Sequence, residues 1–139
     1  MSLERFCRKP VVTILSKQSI RDAALKMRDA HVGAIVVVDD DRPVGIVTDR
    51  DIVLRAILEG RDPQITAVRD VMSRDLKVIR DNEKIDDAIS AIRAAGVRRL
   101  PIVDAKGTAV GMVSLDDLVV LIAGELSVAA GAVQANRGP

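Results

Sequence analysis

Tryptophan and tyrosine are absent from this chain of 139 residues, and Phe6 is its one phenylalanine. Proteins that grip single-stranded nucleic acid by stacking bases on aromatic rings therefore have no counterpart here. Cys7 and His31 are each the sole residue of their type. No disulfide can close within the chain, and a Cys/His zinc cluster would lack ligands. A lone thiol suits a reducing compartment. An excess of either charge is missing too: 21 Lys+Arg stand against 20 Asp+Glu, a formal net charge of +1. Such a balance supplies no field to recruit a polyanion. The opening MSLERFCRKP is charged and has no apolar stretch, so it does not read as a signal peptide. The longest apolar runs, 32–38 and 118–124, are expected to be too short to span a bilayer. These absences predict a cytoplasmic protein with neither a membrane nor a nucleic acid as its partner.

What is present is apolar content of 48% with 29% charged residues, a mixture that folds rather than staying disordered. The chain also repeats itself. At an offset of 65, Ile14, Ile20, Asp22, Ala23, Arg28, Ala30, Val32, Val38 and Asp39 fall on identical residues, from Ile79 to Asp104. After one inserted residue, GIVTDRDIV (45–53) lies on GMVSLDDLV (111–119).

Each copy predicts the same elements in the same order. A short strand is expected over 11–14 and again over 76–79. A helix follows, with Ile20, Ala23, Ala24 and Met27, then Ile85, Ala88, Ile89 and Ile92, at helical spacing. Ser19 with Asp22 reads as an N-terminal cap, whereas Lys84 is a poorer one. His31 and Gly96 mark helix ends that favour a left-handed residue. Two strands then follow, 34–38 with 45–48 and 100–103 with 111–114, joined by the polar turns DDDRP and DAKGT. A final helix opens at Asp49 or Leu115. The fold class is α+β: two β-α-β-β-α units, each too small to bury a core alone and so expected to pack on each other. We divide the chain into residues 1–66, 67–123 and a helical tail, 124–139.

An opening strand, helix, hairpin and then G-h-h-[ST]-x-x-D, twice over, resembles a tandem pair of cystathionine-β-synthase (CBS) domains. The phrases DVMSRDLKVI (70–79) and GVRRLPIVD (96–104) carry the same likeness, which covers roughly residues 5–123. The resemblance implies a Bateman module with pseudo-twofold symmetry and two clefts. Such clefts take adenosine-containing ligands: AMP, ADP, ATP, S-adenosylmethionine or a nicotinamide dinucleotide. No cofactor is required; an adenine nucleotide acts as a regulatory ligand. It also implies a homodimer and an effector protein regulated in trans.

Several residues could carry that binding. Thr48 and Asp51, and likewise Ser114 and Asp117, stand where a strand feeds a helix whose first N–H groups lack partners and favour negative charge. The resemblance gives the acid a ribose diol and the hydroxyl a ribose or phosphate. The same Ser/Thr-x-x-Asp pattern also caps a helix with no ligand at all. Arg98 and Arg99 open a short apolar strand where the first copy has Gly33 and Ala34. The resemblance sets one of them on phosphate oxygens, which a planar guanidinium binds through two bonds. The small pair at Gly33 and Ala34 leaves room for a ring. By the same resemblance, Thr13, Ile14, Val78 and Ile79 line adenine pockets, and Pro101, lacking an N–H, suits a break in the ladder beside a cleft.

Plainer roles stand beside these. Cys7 aligns with Met72 and reads as filling an apolar slot. His31 reads as a helix cap, Asp39–Asp41 as a solvated turn, and Lys17 and Arg80 as surface cations. No pair of carboxylates, metal cluster or nucleophile–base pair marks an enzyme. The competing reading is a structural or adaptor dimer with vestigial clefts, suggested by the apolar helix positions Ile52, Val53, Ala56, Ile57, Leu118, Val119 and Ile122.

Overall fold

The computed structural model describes residues 2–7, 11–74 and 76–137. Two three-stranded sheets form, one from each repeat. In the first, β1 (Thr13–Leu15) runs parallel to β2 (Ala34–Asp39), which pairs antiparallel with β3 (Arg42–Thr48). In the second, β4 (Ile79–Arg80), β5 (Arg99–Val103) and β6 (Ala109–Ser114) repeat that order and those directions. Helix α1 (Ile20–Ala30) joins β1 to β2, and α3 (Ile85–Ala95) joins β4 to β5. Helix α2 (Asp49–Ile52) follows β3 and passes into a π-helical turn over Val53–Ile57. Helix α4 (Leu115–Asn136) follows β6. The α+β architecture and the two β-α-β-β-α units are those predicted from the repeat.

Local chemistry explains the boundaries. The Ser19 hydroxyl accepts from the Asp22 amide at the start of α1, at 3.1 Å. At α3 the geometry is reversed: the Lys84 amide donates to the Asp87 carboxylate at 2.9 Å. Both helices stop on a left-handed residue, His31 at φ 54° and Gly96 at φ 65°. Asp40 and Asp41 both have positive φ, so the first hairpin closes in a two-residue turn whose twist suits the strands.

The opening strands start later than expected, at Thr13 and Ile79 rather than at residues 11 and 76. Pairing sets their extent, because β1 finds partners only at Val36, Val37 and Val38. β4 is one rung shorter. The position that would face Val78 is Pro101, which has no N–H to complete a ladder.

Each sheet has an apolar layer on its helix side. Ile14, Ile35, Val37 and Val47 meet Ile20, Ala23 and Met27 of α1 and Ala56 of the π turn. Ile79, Leu100, Ile102 and Val113 meet Ile85, Ala88 and Ile92 of α3 and Leu118 and Leu121 of α4. Alternate residues of β2, Val36 and Val38, turn the other way and join Ala109 and Met112 of the second repeat. A strand buried on both faces reads as an unbroken apolar run, which is what AIVVV is.

Apolar packing reaches across the boundary between residues 66 and 67. Leu3 is fully buried in the second repeat's core, while Val68, Val71 and Met72 lie in the first. Each lead-in segment thus crosses to the opposite sheet. Ile46 and Ser73 exchange backbone hydrogen bonds at 3.1 and 2.9 Å, and Cys7 bridges to Gly111. Glycine is obligatory at both crossings. A Cβ on Gly111 would stand 2.5 Å from the Phe6 carbonyl oxygen, and one on Gly45 would stand 2.8 Å from that of Ser73.

The tail is not a separate element. Residues 124–136 continue α4 as one helix of 22 residues, and from Ile122 onward every described residue is exposed. The apolar run 118–124, expected to be too short to span a bilayer, is only part of a longer apolar helix. With Glu125 as the only charge after Asp117, α4 is long and apolar enough to cross a bilayer by length and composition. A helical register carries apolar character past an isolated acid, so counting uninterrupted runs underestimates it.

Two glycine substitutions should act in opposite directions. Gly111→Ala should cost about 1–3 kcal/mol, because the crossing backbone has to move. Gly124→Ala meets nothing within 4 Å and should gain about 0.5–1 kcal/mol from helix propensity. Urea unfolding midpoints of the two variants check both signs.

Candidate functional site

Two clefts lie between the repeats, and each takes its walls from both. The first, of about 460 Å³, joins Val11, Val12, Val32, Gly33 and Ala34 of the first repeat to Met112, Ser114 and Asp117 of the second. The second, of about 170 Å³, joins Leu76, Lys77, Val97, Arg98 and Arg99 to Ile46, Thr48 and Asp51. The residues match in pairs under the repeat: Val32 with Val97, Ala34 with Arg99, Met112 with Ile46, Asp117 with Asp51.

The strand-to-helix junctions are built the same way twice. The Thr48 hydroxyl oxygen accepts from the Asp51 amide at 3.1 Å, and the Thr48 amide donates to Asp51 Oδ2 at 2.9 Å. At the other junction the Ser114 hydroxyl oxygen accepts from the Asp117 amide at 3.0 Å, and the Ser114 amide donates to Asp117 Oδ2 at 3.4 Å. These are reciprocal capping boxes, so the capping role of Ser/Thr-x-x-Asp is realised in full. Capping does not exhaust the groups. Each hydroxyl keeps its proton to donate, and each carboxylate keeps Oδ1 as an acceptor. Beside Asp51, Arg55 Nε stands 3.9 Å from Oδ1, while its Nη1 donates to the carbonyls of Val71 and Met72 at 3.0 and 3.2 Å. Arg55 thereby ties the linker to the junction.

Charge separates the two clefts. Lys77, Arg98 and Arg99 line the smaller one, whereas Arg5 and Arg99 line the larger. Arg98 Nη2 pairs with Asp116 Oδ1 at 2.9 Å, both side chains being largely exposed. Gly33 holds its place through its carbonyl, which accepts from the Asp49 amide at 3.0 Å; the Arg98 carbonyl accepts from Leu115 at 2.8 Å in the same way. A side chain at Gly33 would meet Asp49 Oδ2 at 3.1 Å.

Of the residues singled out from sequence, Ala34, Thr48, Asp51, Arg98, Arg99, Ser114 and Asp117 line the clefts. Thr13, Ile14, Val78 and Pro101 do not. Ile14 is in the first core, Val78 points outward, and Pro101 is buried in β5. The cleft walls take instead the residues two positions earlier, Val11 and Val12, and Leu76 and Lys77, because the strands begin only after the chain has passed the cleft. Lys17 borders a separate open groove beside Arg21, and Arg80 lines neither cleft. Arg5 and Phe6 were missed. Their signal was the alignment of Cys7 with Met72, which already set the N-terminal segment parallel to the linker.

A family model described as the CBS domain matches residues 3–57 and 68–124. The chain belongs to the CBS domain family. It is 44% identical over 110 residues to a CBS domain-containing protein of Bacillus subtilis, YhcV, spanning 79% of this chain and 77% of that one. It spans 61% of the length of an archaeal relative from Methanopyrus kandleri, with 32% identity over 86% of this chain. Its fold matches the CBS domain pair of protein MJ0100 in complex with 5-methylthioadenosine and S-adenosyl-L-methionine. That match has a TM-score of 0.77 and 24% identity, covering 90% of this chain and 98% of the other. It matches equally a CBS domain protein of Pyrobaculum aerophilum complexed with AMP, at a TM-score of 0.73 and 23% identity over 84% and 89%.

Ser114→Ala removes an N-cap acceptor and should lower stability by about 1 kcal/mol, with Ser114→Thr retaining most of it. Chemical denaturation of the three proteins checks the cap independently of any ligand.

Proposed function

We propose that the protein is a non-enzymatic regulatory module that binds adenosine-containing ligands in its two clefts and signals to a partner protein in trans. The observation that carries this reading is the doubled junction. Two inter-repeat clefts each present a hydroxyl proton, a spare carboxylate oxygen and a helix N-terminus on one rim. The carboxylate suits the ribose hydroxyls, and the hydroxyl with the helix start suits a phosphate. Ligands bound by the MJ0100 and Pyrobaculum aerophilum proteins support the adenosyl class. The apolar strand-to-loop residues, Val11, Val12 and Val32 in one cleft and Leu76 and Val97 in the other, offer the ring a flat wall. The candidate ligand set is AMP, ADP, ATP, S-adenosylmethionine and nicotinamide dinucleotides.

Calorimetric titration of nucleotide-stripped protein tests the reading. AMP or another adenosyl ligand should bind, Asp51→Ala should remove one site and Asp117→Ala the other. Complete silence across the ligand set rejects it.

A homodimer completes the proposal. Val53, Leu54, Ile57 and Leu58 on one helical edge, and Val119, Val120 and Ile122 on α4, are 38–73% exposed. Apolar surface of this kind is covered in a stable assembly, and a second copy in the cytoplasm is the cover we favour. The same surface is what the adaptor reading rests on, with clefts vestigial. Light scattering should give twice the chain mass, falling to one with Ile57→Asp and Val119→Asp together. A nucleotide-independent partner that survives Asp51→Ala with Asp117→Ala would favour the adaptor.

A further inference from the structure

Arg99 belongs to both clefts. It opens β5 opposite Ser114, and it lines the larger cavity with Ser114 and Asp117 and the smaller one with Thr48 and Asp51. It is half-buried, and among the described residues its side chain has no hydrogen bond or ion pair, whereas that of its neighbour Arg98 is engaged by Asp116. The repeat supplies no counterpart, because the matching position is Ala34. One guanidinium, without a side-chain partner among the described residues, therefore stands between two places built alike.

We infer that the clefts compete for Arg99, so that a phosphate-bearing ligand in the smaller cleft weakens the larger cleft for a second one. This rests on the adenosyl-binding reading above. A guanidinium is a planar fork that engages one phosphate through two parallel bonds, and turning it to one cleft withdraws it from the other. The smaller cleft holds Lys77 besides, a cation with no ion pair among the described residues, so it wins the contest. The larger cleft retains Arg5, more open volume and the small Gly33–Ala34 wall. Its preferred occupant when the smaller cleft is filled is an adenosyl group of low or no negative charge. Two unlike occupants in one chain, a phosphate ester and a nucleoside-like ligand, follow from a single shared cation.

The test uses the full chain, calorimetry, and AMP and adenosine as probes. Asp51→Ala disables the smaller cleft, and Asp117→Ala identifies the larger one as the site lost. The larger cleft of Asp51→Ala should bind AMP about tenfold more tightly than the weaker site of the parent, the worth of one charge-assisted pair. Adenosine at that cleft should bind within twofold in both proteins. In an Arg99→Ala background, which places there the residue the first repeat carries, Asp51→Ala should leave AMP binding at the larger cleft unchanged. Should Asp51→Ala not fold, Asp51→Asn keeps an acceptor for the Thr48 amide and serves in its place. Two AMP sites that ignore each other, or that strengthen each other, overturn the competition while leaving the adenosyl reading standing. No binding of either probe to the parent overturns both.

Discussion

Two backbone crossings hold this molecule in its working shape. The segment before each repeat lies against the last strand of the other repeat, and it can do so only where that strand carries no side chain. Gly45 and Gly111 are those places. Backbone pairing accompanies both crossings, Ser73 with Ile46 and Cys7 with Gly111. Through them Leu3 enters one core and Val68, Val71 and Met72 the other, so neither repeat owns a complete apolar interior. Arg55 adds a polar tie at one crossing by donating to two linker carbonyls.

The clefts are a consequence of that exchange. A strand-to-helix junction of one repeat faces the early residues and the helix-to-strand turn of the other, so each cavity is a composite. Capping at the two junctions leaves hydrogen-bonding capacity unused. The helix start must be satisfied whether or not a ligand is present, and the reciprocal Thr48–Asp51 and Ser114–Asp117 bonds do this without consuming every lone pair or proton. The acceptors that remain are preorganised, since the helix they serve already fixes them.

Symmetry is broken where it matters. The repeat puts glycine and alanine at 33 and 34 and two arginines at 98 and 99, giving a roomy cleft and a cationic one. The helices diverge as well: α2 ends in a π turn, while α4 runs on to Asn136 with most of its surface exposed. The module is symmetric in fold and asymmetric in charge and in the length of its closing helices.

Much of this was written in local sequence pattern. The offset of 65, the helical spacing from Ile20 to Met27, the AIVVV strand, the left-handed stops at His31 and Gly96 and the paired Ser/Thr-x-x-Asp junctions all act within a few residues, through backbone geometry and side-chain period. The cleft walls at Val11, Val12, Leu76 and Lys77 were misplaced by two residues, because strand length is fixed by a partner strand and by Pro101 in it, not by β-branching alone. The reach of Arg99 into both cavities, the crossing of the lead-in segments and the contribution of Arg5 and Phe6 arise only when distant segments meet. Sequence therefore determined the units and their junctions, whose causes lie a turn or a strand away. Tertiary structure decided which walls face which, because that depends on long-range packing that no local period encodes.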